Sequence, residues 1–334
     1  MACAYERNAV LNDTVASLID SVLASAPRFS ETDEPVIIGC SGGPDSAALV
    51  ALSAHAGVDA FVVYVDHGLR AASADDFAVV SALARRFGFE AAAVTVSIDA
   101  SANVEARARD ARHGALETVR AERGAGSVWL AHTLDDQAET VLLALQRGSG
   151  LAGLSGMQSR RGRIERPLLG VRRSALRLLC ADLGIATIDD PMNHNERFAR
   201  VWVRDTLLPL LNDRNQRDLV PVLARQAALL RTEHEFLEQL AAEALRSAAT
   251  PEGISARALR GFDAVVVRRA VRQLVGHPAI GGRHVEAALA VVYGERNAVE
   301  LPLRRTLRRS GGILMVDQTP PRDADATNGV GPEA

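Results

Sequence analysis

The sequence predicts an α/β protein: a doubly wound parallel sheet followed by a smaller, mainly helical C-terminal domain. Three observations predict it. Short β-branched runs alternate with helical stretches from residue 36 to about 145. Polar residues cluster just past the carboxyl ends of three of those runs, where ligands sit in such sheets. Charge also divides unevenly along the chain: residues 1–213 carry 21 Arg against 27 acids, and residues 214–317 carry 16 Arg against 11 acids.

The elements follow in order. VIIGC (36–40) reads as a buried strand leading into the helical DSAALVALSAHA. FVVYVD (61–66) precedes SADDFAVVSALARRF, AAVTVS (92–97) precedes VEARARDARHGALETVRAE, and VWLAH (128–132) precedes DDQAETVLLALQR. Residues 147–167, rich in Gly, Arg and Ser, read as a long loop or short hairpin over the sheet. Helices are expected at 172–183 and 198–211, separated by the turn-prone DDPMNHNERF, and a long helix or helix pair at 215–247. Beyond 251, short helices precede two strand-like segments, AVELPL and GILMV. The tail after Thr319 has no apolar periodicity and is expected to be disordered. The expected units are therefore a catalytic domain over 1–213, a helical linker with a basic, RNA-binding C-terminal domain over 214–318, and a tail over 319–334.

Composition narrows the function classes. A chain of 334 residues, 48% hydrophobic, exceeds one ordinary core. No apolar run approaches the roughly 20 residues that cross a bilayer, and the first residues mix charges before any apolar stretch, unlike a secretory signal. A cytoplasmic location without membrane contact is expected, and no obligate protein partner is implied. Cys3, Cys40 and Cys180 form no CxxC pair, which fits neither a disulfide framework nor a zinc site. There is no lysine, so all 38 basic residues are arginine. That excludes a Walker-type phosphate lysine and a Schiff base.

The candidate phosphate site is Ser41-Gly42-Gly43-Pro44-Asp45-Ser46, between a strand and a helix. Paired glycines permit close backbone approach, the serines offer hydroxyls, and the helix start turns amides and a positive dipole end toward an anion. Asp45 would repel a phosphate unless a divalent cation lay between them, which points to Mg²⁺. The plainer reading is a capped strand-helix turn.

This loop resembles the SGGxDS signature of the PP-loop ATP pyrophosphatases, which transfer AMP from ATP to a carbonyl oxygen. Further segments, in order and spacing, are similar to the tRNA(Ile)-lysidine synthase family: Val65-Asp66-His67-Gly68-Leu69-Arg70, the run Ala108 to His113, the block Ala131 to Thr140 (AHTLDDQAET), Arg147 to Leu151 (RGSGL), and Asp190-Pro191 with Phe198 and Arg204. The resemblance covers roughly residues 35–211. His113 and Met192 stand where the family usually has an aromatic residue and a serine. The resemblance implies an adenine nucleotide α hydrolase-like fold and a two-step reaction. The wobble cytidine of the CAU-anticodon tRNA(Ile) is adenylated, then AMP is displaced by L-lysine, changing decoding from AUG to AUA.

Residue roles follow on that reading. Ser41 to Ser46 hold ATP with Asp66, His67 and Arg70 lining the pocket. Arg109 and Arg112, three apart on one helical face, contact phosphate, although spacing alone fits ion pairs with Glu105 and Asp110 equally well. Asp45 and Asp136 hold Mg²⁺, His132 and Asp136 face the cytidine, and Glu139 meets the lysine ammonium. Taken singly, carboxylates at a helix start are dipole complements. Together with His132 at a sheet edge, they read as a cation site. Arg147, Ser149, Arg166 and Arg204 are weaker candidates for RNA backbone contact. The rival readings are a PP-loop tRNA thiolase, which needs poised cysteines, and a non-catalytic tRNA-binding module.

Overall fold

The computed structural model describes residues 13–30, 32–66, 73–97, 104–189, 198–276 and 281–318. Two compact units divide at Leu230 and Arg231.

The first unit opens with α1 (Asp13–Ala24) and then alternates β1 (Val36–Gly39), α2 (Pro44–His55), β2 (Ala60–Asp66), α3 (Ser73–Arg86), β3 (Glu90–Thr95), α4 (Val104–Glu122), β4 (Ser127–Leu130) and α5 (Leu134–Gln146). The one-turn α6 (Leu151–Leu154) and the small hairpin β5 (Arg160–Arg161) and β6 (Ile164–Glu165) follow, then α7 (Arg173–Asp182). The six strands form one sheet in the order β3-β2-β1-β4-β6-β5. Every pairing is parallel except that of the hairpin. The expected hairpin thus also extends the sheet, because β6 pairs parallel to β4.

Both faces of the sheet are covered, and side-chain alternation along the strands shows how. Val36, Ile38, Val62 and Trp129 point into one core with residues of α1, α2 and α7. Ile37, Phe61, Val63, Val128 and Leu130 point to the other, where Leu116 of α4 is fully buried. Deleting such a side chain to alanine costs about 2–5 kcal/mol. Because the strand order reverses direction between β1 and β4, the segments after those strands diverge to opposite sides and leave a crevice.

After α7 come α8 (Ala199–Trp202), a π-helical turn (Val203–Leu207), α9 (Leu208–Asn215) and the long α10 (Val220–Ala248). The sequence places the domain boundary at 213, but the first unit continues to Leu230. The cause is apolar packing: Val220 of α10 is buried with Ala138 and Leu142 of α5 and with Val203 and Leu208.

The second unit contains the remainder of α10, β7 (Ala249–Thr250), β8 (Gly253–Ser255), α11 (Ala256–Leu259), α12 (Ala264–Val275), α13 (Gly282–Tyr293), β9 (Ala298–Leu301), β10 (Arg305–Ser310) and β11 (Ile313–Gln318). Its strands form a five-stranded antiparallel sheet in the order β7-β8-β11-β10-β9. Helices still make up most of this unit, as expected, and the sheet is an addition to that expectation. β10 escaped the sequence because RTLRRS looks like a charged loop, yet its Leu307 is fully buried. Residues 319–334 lie outside the described residues. Among the described residues, no helix is long and apolar enough to cross a membrane.

Candidate active site

The phosphate loop joins β1 to α2. Gly42 adopts φ +80, a conformation that L side chains rarely take, and its carbonyl accepts a hydrogen bond from Ile188 N at 2.8 Å. A Cβ at Gly42 would lie 2.2 Å from Ile188 Cδ1. Gly43 precedes α2 in extended geometry, Pro44 occupies its first turn, and no side chain caps the helix start. That leaves α2's first turn without the side-chain acceptor that would otherwise compete with an anion. Ser46 Oγ donates to Gly43 O at 3.0 Å and shares a 3.3 Å contact with Ser41 Oγ, so the two hydroxyls brace the turn.

On the other side of the crevice, Thr133 caps α5 in a reciprocal arrangement. Its Oγ1 accepts from Asp136 N at 3.2 Å, while Thr133 N and Oγ1 both donate to Asp136 Oδ2 at 2.8 Å. Asp136 therefore spends one oxygen on the helix start and has the other, Oδ1, for the site. Gln137 ties down the next loop, donating to Met157 O at 2.9 Å and accepting from Met157 N at 2.7 Å.

The central feature is an arginine that the sequence did not single out. Arg173 Nη2 donates to Asp136 Oδ1 at 2.8 Å, Nη1 to Glu139 Oε1 at 2.9 Å, and Nε to Asp45 Oδ2 at 3.3 Å. One guanidinium thus spans the three carboxylates expected to handle cations, and its side chain is only 12% exposed. Burial works against its charge, but Asp136, Glu139 and Asp45 prevail and hold its pKa above the ordinary arginine value. A signal existed: Arg172 and Arg173 stand at the start of α7, against its dipole, and such cations need anionic partners. Asp135 is one of them. It accepts from Arg173 N at 2.7 Å and from Arg172 Nε at 3.3 Å, so it anchors α7 rather than joining the site.

Glu139 is the deepest carboxylate, 1% exposed. Burial raises its pKa against the opposing pull of Arg173, with Asp136 adding to the rise. Its Oε2 lies 3.1 Å from Arg200 Nε, an ion pair by distance without hydrogen-bond alignment. Arg200 Nη2 also donates to Thr140 Oγ1 at 2.8 Å. Burial likewise pushes Asp45 up to about 6, opposed by Arg173 and reinforced by Asp136. His132 is driven down to about 3 by burial, against the nearby Asp136, and is therefore a neutral imidazole whose Nδ1 has no hydrogen-bond partner among the described residues.

Beside these acids lies an excess of arginine. Arg112 is depressed by burial and then by Arg109 and Arg200, and Arg109 by burial, then Arg200, with Arg161 also contributing. Arg166, pushed to about 10 by burial and then by Arg109 and Arg161, is itself a buried side chain. The Nε atoms of Arg112 and Arg166 have no hydrogen-bond partner among the described residues. Asp110 offsets part of the charge at Arg109 and Glu139 pairs with Arg200, yet these arginines still depress one another, and such a concentration of like charge favours a polyanion.

The remaining expected residues fall as follows. Asp66 ends β2, level with Thr95 of β3. His67 and Arg70 lie outside the described residues, as do Asp190, Pro191 and Met192. Arg204 pairs with its neighbour Asp205 at 2.9 Å, and Arg147 follows α5 at the exposed surface. Cys40 and Cys180 are buried free thiols. Burial raises both, Cys180 to about 11 with Asp45 adding to the rise.

Comparison with known proteins decides the family. The PP-loop domain family matches residues 11–211. The tRNA(Ile)-lysidine synthase of Mycolicibacterium paratuberculosis is 44% identical over 236 residues, covering 70% of this chain and 72% of that one. The chain belongs to the tRNA(Ile)-lysidine synthase family. Family members from Salinispora arenicola (40% identical, 86% of this chain and 92% of that one) and Thermobifida fusca (36% identical, 90% and 97%) extend the match into the second unit. A U34-tRNA thiolase of Methanococcus maripaludis with its [4Fe-4S] cluster shares the fold at 18% identity, with TM-score 0.55 over 65% of this chain and 80% of that one. Membership makes this chain an ATP-binding, tRNA-modifying ligase.

The fit of a divalent cation can be judged from the residues alone. Asp45 Oδ1 is buried with no hydrogen-bond partner among the described residues, and Asp45 and Asp136 share Arg173. Two carboxylates beside a glycine turn at a helix start are donors of the kind Mg²⁺ takes when phosphates complete its shell.

Proposed function

We propose that the enzyme ligates L-lysine to the wobble cytidine of CAU-anticodon tRNA(Ile) through an adenylated cytidine, with Mg²⁺ held by Asp45 and Asp136. The observation that carries this reading is the span of Arg173. A single guanidinium reaches the phosphate-loop carboxylate and the two α5 carboxylates, so nucleotide and cationic amino acid meet at one place.

The phosphate loop and the start of α2 hold the triphosphate through backbone amides. The 2-oxo oxygen of the cytidine attacks the α-phosphorus, the bond to the bridging oxygen breaks, and diphosphate leaves. Mg²⁺, when bound, neutralises phosphate charge. Positioning and charge stabilisation supply most of the acceleration in this step. In the second step the lysine ε-amine attacks ring carbon C2 and AMP departs with the oxygen. The amine must first lose a proton, and Glu139, with its raised pKa, is better matched to accept it than an ordinary carboxylate. Neutral His132 contributes hydrogen bonds at the cytidine side; with a pKa near 3 it is no proton sink. Arg109, Arg112 and Arg166 take the phosphates, those of ATP and of the RNA backbone.

The thiolase alternative is disfavoured by the buried, protonated thiols of Cys40 and Cys180. The decisive experiment is mass analysis of tRNA(Ile) incubated with the enzyme, ATP and isotope-labelled lysine. The expected product carries a mass increase of lysine less water at one cytidine, and Asp45→Ala abolishes it. Unmodified tRNA with the wild-type enzyme, or full activity in Asp45→Ala, would overturn the proposal.

A further inference from the structure

In the structure both oxygens of Glu139 face arginine, Arg173 Nη1 at 2.9 Å and Arg200 Nε at 3.1 Å, and the side chain is 1% exposed. An ammonium must come within about 2.7–3.2 Å of a carboxylate oxygen to bond with it. It cannot do so at Glu139 until a guanidinium moves aside. The two arginines differ in what else holds them. Arg200 is held by a neutral hydroxyl, Thr140 Oγ1, whereas the other partners of Arg173 are Asp45 and Asp136. Those two carboxylates belong to the nucleotide side of the site. A triphosphate and its cation there both act on Arg173: the cation competes for its acceptors, and the phosphates offer the guanidinium a more highly charged partner.

We infer that Arg173 is a positioning residue that couples the two substrate seats, occupying the ammonium seat at Glu139 until nucleotide binding draws it from Asp45 and Asp136. Lysine then binds second, after ATP. The inference rests on the proposed function through the assignment of Glu139 to the lysine amine. It gives Arg173 a task beyond balancing charge. In the empty enzyme it keeps three close carboxylates compensated, and it shields the buried Glu139 from stray cations. Its planar fork sends three different nitrogens to three carboxylates, so loss of two contacts loosens the third.

The test is calorimetric titration of L-lysine into the full chain, alone and with Mg²⁺ and α,β-methylene-ATP, an analogue that cannot release diphosphate. For the wild type, the analogue is expected to tighten lysine binding about 5- to 150-fold, the usual range of coupling between sites. Reciprocity requires lysine to tighten the analogue by the same factor. In Arg173→Gln lysine should bind without nucleotide, and the coupling should fall below about threefold. Arg173→Lys, which keeps the charge, should restore part of it. Equal lysine affinity with and without analogue in the wild type overturns the inference even if Arg173→Gln fails to fold. So does a coupling that survives in a folded Arg173→Gln. Lysine binding in no state of the wild type overturns the inference together with the assignment of lysine as substrate. Lysidine formation with uncoupled lysine binding overturns the inference alone.

Discussion

Substituting Glu139 by glutamine keeps the shape of the site and removes one charge. In the wild type this carboxylate, 1% exposed, accepts a 2.9 Å hydrogen bond from Arg173 and pairs with Arg200 at 3.1 Å. Two effects on stability oppose each other. The amide weakens charge-assisted contacts, but it also relieves burial of a carboxylate whose pKa is already raised by desolvation. The net change in folding free energy should therefore stay within about 1.5 kcal/mol. Lysine binding loses more, because the ammonium loses a charge-assisted partner worth about 1.5–3 kcal/mol, or roughly ten- to 150-fold in affinity, and the weaker hold on the competing Arg173 guanidinium brings the loss toward the lower end of that range. The expected outcome is a KM for lysine raised by that factor with the KM for ATP changed less than about twofold. Diphosphate release at varied lysine and varied ATP measures both, and a urea melt confirms folding. Equal increases in the two KM values would refute the placement of the amine at Glu139.

Two further substitutions probe the loop and the arginine cluster. Gly42→Ala places a Cβ at φ +80 and 2.2 Å from Ile188 Cδ1, so it should lower stability by about 1–3 kcal/mol and weaken ATP binding; unchanged urea unfolding and ATP affinity would contradict the loop geometry. His113 is pushed down to about 4 by burial and then by Arg112, Arg109 and Arg166, so the folded protein keeps it neutral. As pH falls below the ordinary histidine value of 6.5, the unfolded chain takes up a proton that the folded chain refuses, and stability is lost between 6.5 and about 4. Half-burial reduces the cost to roughly 1–2 kcal/mol. The Tm of His113→Phe should therefore fall less steeply than that of the wild type from pH 7 to pH 5, and identical slopes would count against the depressed pKa.

Much of the catalytic unit was legible because its signals are local. A β-branched run followed by a short polar turn and a helical stretch marks a strand, a turn and a helix whatever lies elsewhere, and the four strands so marked all pair in one sheet. β6 was not legible as a sheet strand because only Ile164 and Glu165 take part, too few for any periodicity. β10 was hidden by its arginines, since burial of Leu307 depends on partners across the sheet. Arg173 was hidden for a different reason. Among 38 basic residues, all arginine, composition gives none of them prominence, and its partners lie 34, 37 and 128 positions away. Only its place against the helix dipole set it apart.

The convergence of Asp45 and Asp136 follows from register. β1 and β4 are parallel neighbours with Gly39 opposite Leu130, and each aspartate comes six residues after its strand's end, in the first turn of the next helix. Neighbouring strands run about 4.8 Å apart, so equal spacing past a paired end brings the two carboxylates to a similar height. The reversal of strand order between β1 and β4 sends the following helices apart, and in sheets of this kind ligands bind at such a point. Two like charges held in this way need a cation from the start. Arg173 reaches them because Asp135, Asp136's neighbour, fixes the first amide of α7. One helix start therefore supplies a carboxylate for the site and the anchor for the guanidinium that occupies it. That is why AHTLDDQAET carries two adjacent aspartates with separate tasks.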